Sequence, residues 1–162
     1  MADLGAELDH IAHDIRLIIN NLAFIDFDNS NFPDILDHMM SSFKESSDAT
    51  YTLELSTPLI FHDPMVAIQL LRITQEAVNN AIKHSNATQI NVSFIKADSY
   101  TKLSIIDNGC GLKARSDVST APSGRSGCGL DNMRYRAHVI GGNFETRSSD
   151  TEGTHIYCTI FP

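Results

Sequence analysis

Apolar residues recur along this chain with two different periods, and the switches between them mark its elements. Leu4, Leu8, Ile11, Ile15, Ile18 and Leu22 alternate by four and three. That heptad seam predicts a helix over about residues 4–24 that packs in a bundle or dimer, or lies as an ordinary surface helix on the domain. Residues 26–34, DFDNSNFPD, form a polar breaker followed by a helix to about Phe43 or Lys44. YTLELS (51–56) alternates with period two and predicts a strand. Helical spacing returns from about Met65 to His84, with Pro64 suited to the first turn. QINVSFIKA and TKLSIIDN predict two strands joined around Asp98 and Ser99.

Residues 109–126, GCGLKARSDVSTAPSGRS, have no period at all. So long an aperiodic stretch in a compact domain predicts a functional loop. A helix from Gly129 to Ile140 then stops at Gly141-Gly142, and NFETRSS and THIYCTIF close the chain as strands around a turn at Glu152-Gly153. The order α-α-β-α-β-β-loop-α-β-β predicts an α/β sandwich with helices on one face, not a regular βαβ series. A dinucleotide-binding fold is therefore disfavoured.

Composition narrows the partners. At 162 residues, 42% hydrophobic and 20% charged, the chain is an ordinary globular domain able to bury a core. Its formal charge of −8, from 20 acidic and 12 basic residues, argues against a general nucleic-acid or anionic-membrane surface. No apolar run approaches the roughly 18 residues of a membrane span, and the N-terminus lacks a signal-peptide layout. Cys110, Cys128 and Cys158 have no metal-ligand spacing. The expectation is a reduced, cytoplasmic protein that reaches a membrane only through a segment not in this chain.

Candidate chemistry concentrates in three places. In EAVNNAIKH (76–84), Glu76, Asn80 and, a turn later, Lys83 and His84 share one side of a helix whose other side, with Ile73, Ala77 and Ala81, suits a core. A carboxamide oxygen suits Mg²⁺, Lys83 suits phosphate, and Glu76 could orient a nucleophile or a metal-bound water. Taken alone, the same pattern fits a solvated face. IIDNGCGL (105–112) ends a strand in Asp107, a carboxylate placed to accept from a ligand amino group such as that of a purine. SGCGLDNM (126–133) runs glycines into a helix start, where free N–H groups favour phosphate.

In this order the three segments resemble the boxes of the GHKL ATPase superfamily, which includes histidine kinases, gyrase-type topoisomerases, Hsp90 and MutL. QEAVNNAIKHSNA resembles the N box, DNGCGL the G1 box and GCGL the G2 box. Met133, Arg136, Gly141-Gly142, Gly153-Thr154 and the apolar last strand are similar to histidine kinases of the nitrate/nitrite-sensor and DesK type. The resemblance covers residues 32–162. It implies a two-layer Bergerat sandwich with a mixed, mostly antiparallel sheet.

It also implies roles. Asn80 would hold Mg²⁺ against the triphosphate of ATP, with Glu76 on the same face and Lys83 and His84 near the phosphates. Asp107 would bind the adenine amino group, beside Gly109 and Gly111, with Thr154 near the adenine. Gly127, Cys128, Gly129 and Leu130 of the G2 box would meet the phosphates, and residues 112–126 would form an ATP lid in which Arg115 and Arg125 contact phosphate or only solvate it.

Kinases of this type phosphorylate a histidine on a dimerising two-helix hairpin and pass the group to a response regulator. His13 lies off the heptad seam, and no second helix fits between it and Pro33. Residues 1–27 are therefore expected to be the second hairpin helix, with the acceptor outside this chain and the full-length protein a homodimer. A stand-alone serine kinase of the anti-sigma-factor type, or a non-catalytic ATP- or partner-binding module, are the alternatives. Cys110 and Cys128 occupy variable positions of the glycine motifs, as small packing residues or as a redox switch.

Overall fold

The computed structural model describes residues 32–56, 58–112, 128–149 and 151–161. The helix expected at 4–24, the hairpin assignment of residues 1–27 and His13 lie outside them. Helix α1, Phe32–Ser46, begins inside the stretch read as a breaker, because Pro33 can occupy a first turn whose N–H has no helical partner. Its buried residues Phe32, Leu36, Met40 and Phe43 follow one helical face. Strand β1 is Thr50–Leu55.

Helix α2, Pro64–His84, is capped by Asp63, whose side chain accepts from the Met65 N–H at 2.8 Å. It buries Ala67, Leu70, Leu71, Ile73, Thr74, Ala77, Val78 and Ala81. The buried Thr74 hydroxyl donates to the Leu70 carbonyl at 2.9 Å, so its burial leaves no polar atom unpaired. Strands β2 (Gln89–Ala97) and β3 (Tyr100–Asp107), helix α3 (Cys128–Val139), and strands β4 (Asn143–Ser149) and β5 (Gly153–Ile160) complete the described chain.

The five strands form one sheet in the order β1-β2-β3-β5-β4. β1 and β2 are parallel, joined through α2, and every other pair is antiparallel. The sheet is thus mixed and mostly antiparallel, as expected. Alternation gives it an inner face of Ile90, Val92 and Phe94 on β2, Leu103, Ile105 and Asp107 on β3, and Thr154, Ile156 and Cys158 on β5, all buried. Against it lie Leu70 and Ile73 of α2 and Met133 and Ala137 of α3, each fully buried. The Phe32 ring meets Phe61 and Phe94 edge to face at 4.9 and 5.3 Å and ties α1 into the same core. The other face is polar, with Lys102 Nζ 4.4 Å from the Tyr157 ring. No described helix is long and apolar enough to cross a membrane.

Burial pushes the Cys158 thiol up from 9 to about 11. Its folded value lies above its unfolded one, so its contribution to stability is complete below pH 9 and is lost as the pH rises through about 11. Denaturant titrations at pH 8 to 11 are expected to show this loss, and Cys158→Ala is expected to flatten that part of the slope. In the native chain at pH 8, Cys158 is expected to resist alkylation while the half-exposed Cys110 reacts.

Candidate functional site

Strand β3 delivers Asp107 to the end of the sheet, and the register of β3 with β5 sets it directly opposite Thr154. The two are 6% and 7% exposed, so a carboxylate and a hydroxyl stand together on an otherwise apolar inner face. Asp107 Oδ1 accepts from the Gly109 N–H at 2.8 Å, which curls the chain into a turn. No other hydrogen bond to the Asp107 side chain exists among the described residues, so Oδ2 keeps its acceptor capacity.

The turn is pinned from three sides. Asn108 Oδ1 accepts from the Thr88 and Gln89 N–H groups, both at 2.9 Å, and its Nδ2 donates to the Thr88 hydroxyl at 2.9 Å. The Cys110 N–H donates to the Ser85 carbonyl at 2.8 Å, locking the turn to the end of α2. A side chain at Gly109 would collide with that same Ser85 carbonyl. Gly111, at φ +72°, lies against the β4 end, where a Cβ would come 2.5 Å from the Ser149 carbonyl. The Leu112 N–H then donates to Ser148 Oγ at 2.7 Å.

On the helical side, Asn80 Nδ2 faces Glu76 Oε1 at 3.4 Å, one turn away. The start of α3 presses on this pair. A Cβ at Gly129 would lie 2.6 Å from Glu76 Oε1 and 3.1 Å from Asn80 Nδ2. Between these walls is a cleft, open to solvent at its mouth, lined by Asn80, Asp107, Leu130 and Thr154 with Ala77, Ala81, Ser85, Leu112 and Ile156. That mixture of apolar walls with a few polar groups suits a flat heteroaromatic ligand with a polar tail.

Eight of the residues singled out in the sequence thus converge here: Glu76, Asn80, Asp107, Gly109, Gly111, Gly129, Leu130 and Thr154. Lys83 and His84 sit exposed in the last turn of α2, outside the cleft lining. Cys128 opens α3. Gly127, Arg115 and Arg125 lie outside the described residues. Asn80 Oδ1 has no hydrogen-bond partner among the described residues, and a neutral hard oxygen beside the Glu76 carboxylate is a donor set that fits Mg²⁺. Among the described residues, no cluster of three His, Cys, Asp or Glu could hold an ion by itself, so phosphate and water oxygens would have to complete the shell.

Sequence reasoning missed Ser85, Asn108 and Ser148. The Asp-Asn-Gly turn signal covered Asn108, but nothing local marks Ser85 or Ser148, whose partners lie 25 and 36 residues away. Ser148→Ala is expected to weaken nucleotide binding about five-fold, the worth of one neutral hydrogen bond of about 1 kcal/mol. Calorimetric titration measures it, with unchanged circular dichroism as the control.

Residues 65–162 match the family described as histidine kinase-, DNA gyrase B-, and HSP90-like ATPase. The chain is 30% identical over 155 residues to the nitrate/nitrite sensor protein NarQ of Escherichia coli, covering 95% of this chain and 26% of that protein. To the sensor protein VraS of Staphylococcus aureus it is 40% identical over 87 residues, 54% of this chain and 23% of that one. The chain thus spans about a quarter of these curated relatives. Among solved structures, the Acinetobacter baumannii histidine kinase AdeS aligns with a TM-score of 0.64 at 18% identity, over 96% of this chain and 79% of that one. The histidine kinase domain of the Erythrobacter litoralis EL346 blue-light activated kinase gives 0.64 at 14%, over 80% and 60%. These two likenesses concern the fold.

Proposed function

Because the chain belongs to the histidine kinase-, DNA gyrase B-, and HSP90-like ATPase family, we propose that its cleft binds Mg·ATP and serves as the catalytic part of a two-component sensor histidine kinase. The observation that carries the nucleotide assignment is the cross-strand pair of Asp107 and Thr154, which lines the same cleft as Asn80. Asp107 Oδ2 accepts from the adenine 6-amino group while Oδ1 stays with Gly109, and the Thr154 hydroxyl lies beside the base. Ala77, Ala81 and Ile156 give the base an apolar bed.

Asn80 Oδ1 would hold the ion, and Glu76, which faces the Asn80 amide, would keep it turned and orient the incoming nucleophile. Bound Mg²⁺ would neutralise charge on the phosphates during transfer. Gly129 lets the start of α3 close on this group, where its free N–H groups meet phosphate, with Gly127 and Cys128 before it. Lys83, Arg115 and Arg125 supply charge at the margin, with His84 as a further phosphate contact. The γ-phosphoryl group passes to an imidazole nitrogen of a histidine outside this chain, leaving ADP, and then to a response regulator. The whole protein is a homodimer, with this part in the cytoplasm.

Calorimetric titration with a non-hydrolysable ATP analogue tests the site. Mg²⁺-dependent binding that loses its metal dependence in Asn80→Ala is expected. Absence of binding to the unaltered chain would sink the assignment. Transfer from γ-labelled ATP to a separate histidine-bearing hairpin, giving an acid-labile product, tests the reaction.

A further inference from the structure

Strand β4 is one edge of the sheet, and among the described residues no strand pairs with its outer side. It runs opposite β5 in unbroken register, from Asn143 facing Thr159 to Ser149 facing Gly153. Antiparallel pairing of this kind turns roughly half of the backbone N–H and C=O groups of β4 towards β5 and the rest outward. An open edge is a template for another strand, and proteins usually blunt it with lysine, proline or a bulge. NFETRSS has none of the three.

The only charges on β4 are Glu145 and Arg147. They face Tyr157 and His155 across the β4–β5 ladder, and so lie on the sheet face away from the helices. Within one chain they meet poorly. Arg147 reaches Glu145 at 3.5 Å, and the two side chains stay 73% and 51% exposed. Such an exposed pair contributes little. The Arg147 guanidinium lies 5.7 Å from the Tyr157 ring, which holds it over the sheet. Both charges are therefore placed to take a better partner on an added strand.

Their spacing says which strand. Glu145 and Arg147 stand one residue to either side of Thr146. Two copies of β4 paired antiparallel about a two-fold axis at Thr146 set Glu145 of each opposite Arg147 of the other. Asn143 then faces Ser149, and Phe144 faces Ser148. Slipping by two residues, the smallest slip that keeps both faces, opposes two Glu145 or two Arg147 side chains. The other edge strand, β1, has Glu54 as its only charge and offers no such pair. A contact this short belongs to the weak, transient class.

We infer that β4 is a self-pairing edge: two copies of this chain join antiparallel through Asn143–Ser149 into one continuous sheet, with Thr146 on the axis and two Glu145–Arg147 pairs across it. This contact is separate from the homodimer of the whole protein proposed above, and it does not rest on the nucleotide reading.

Sedimentation velocity on the full chain at physiological salt, with hydrogen exchange read over residues 143–149, tests it. Between roughly 5 μM and roughly 500 μM, a range suited to small transient contacts, the chain is expected to shift towards dimer. The β4 amides are expected to gain protection over that range while those of β1 do not. Glu145→Arg and Arg147→Glu are each expected to weaken association about tenfold, because two attractive pairs become two repulsive ones. Net charge alone predicts otherwise: in a chain of formal charge −8, the first exchange would favour association and the second oppose it. An equimolar mixture of the two variants is expected to recover the association of the parent, since every cross-strand pair is attractive again. A folding defect could not be rescued by mixing. The inference is overturned if the parent stays monomeric, as it would were a foreign strand the occupant. It is equally overturned by a dimer without β4 protection, by single variants that associate as the parent does, or by a mixture no better than its components.

Discussion

Asp107→Asn is expected to weaken binding of an ATP analogue by about 100-fold while leaving stability nearly unchanged. The reason is a count of acceptors. Asp107 must accept from two donors at once: the Gly109 N–H, at 2.8 Å on Oδ1, and the ligand amino group on the other oxygen. Asparagine has the same shape but one acceptor and one donor. Without ligand it keeps the Gly109 bond and turns its NH₂ into the open cleft, so the fold loses little. With adenine bound, that NH₂ faces another NH₂ in a site where Asp107 is only 6% exposed. An unmet donor pair there, together with the lost charge-assisted bond, costs about 3 kcal/mol. The exchange also removes the group that prefers a 6-amino to a 6-oxo purine, so ATP and GTP analogues should converge in affinity. Calorimetry on both analogues is the check, and a loss below tenfold would remove Asp107 from the base-binding role.

The second large effect is on folding. Gly153→Ala is expected to destabilise the chain by about 4 kcal/mol and to lower its melting temperature by roughly 10 °C. Gly153 has φ +76°, and its added Cβ would collide with the Asp107 carbonyl and approach the Gly109 nitrogen at 2.8 Å. These are backbone atoms of a central strand and its turn, so no side chain can swing aside. The left-handed conformation adds about 1–2 kcal/mol for any residue with a Cβ. Because the displaced atom belongs to Asp107, nucleotide affinity should fall along with stability. A melting temperature within 2 °C of the parent would show that the β3–β5 junction is looser than its packing indicates. Gly141 offers the contrast. It has φ +67° but nothing within 4 Å of its Cβ position, so Gly141→Ala should cost only the conformational part.

Local chemistry made most elements legible. The strands read at QINVSFIKA and NFETRSS match β2 and β4 to the residue, and Pro64 with helical spacing marked α2. The start of α1 was misjudged because Asp, Asn, Ser and Pro signal a breaker and a helix start equally well. Lys83 and His84 follow Glu76 and Asn80 by the spacing that suggests a shared face, and both stand exposed in the last turn of α2.

By itself, then, the sequence determined the kind and order of the elements and the residue types that could meet a nucleotide, because those depend on propensity and on neighbours within a few positions. Only the tertiary structure decided that Asp107 faces Thr154, that Gly129 closes on Glu76 and Asn80, and that Ser148 holds Leu112. Each of those depends on β5 inserting between β3 and β4 and on α3 settling against α2. Such choices are made by burying apolar faces between segments distant in sequence, and no local pattern encodes them.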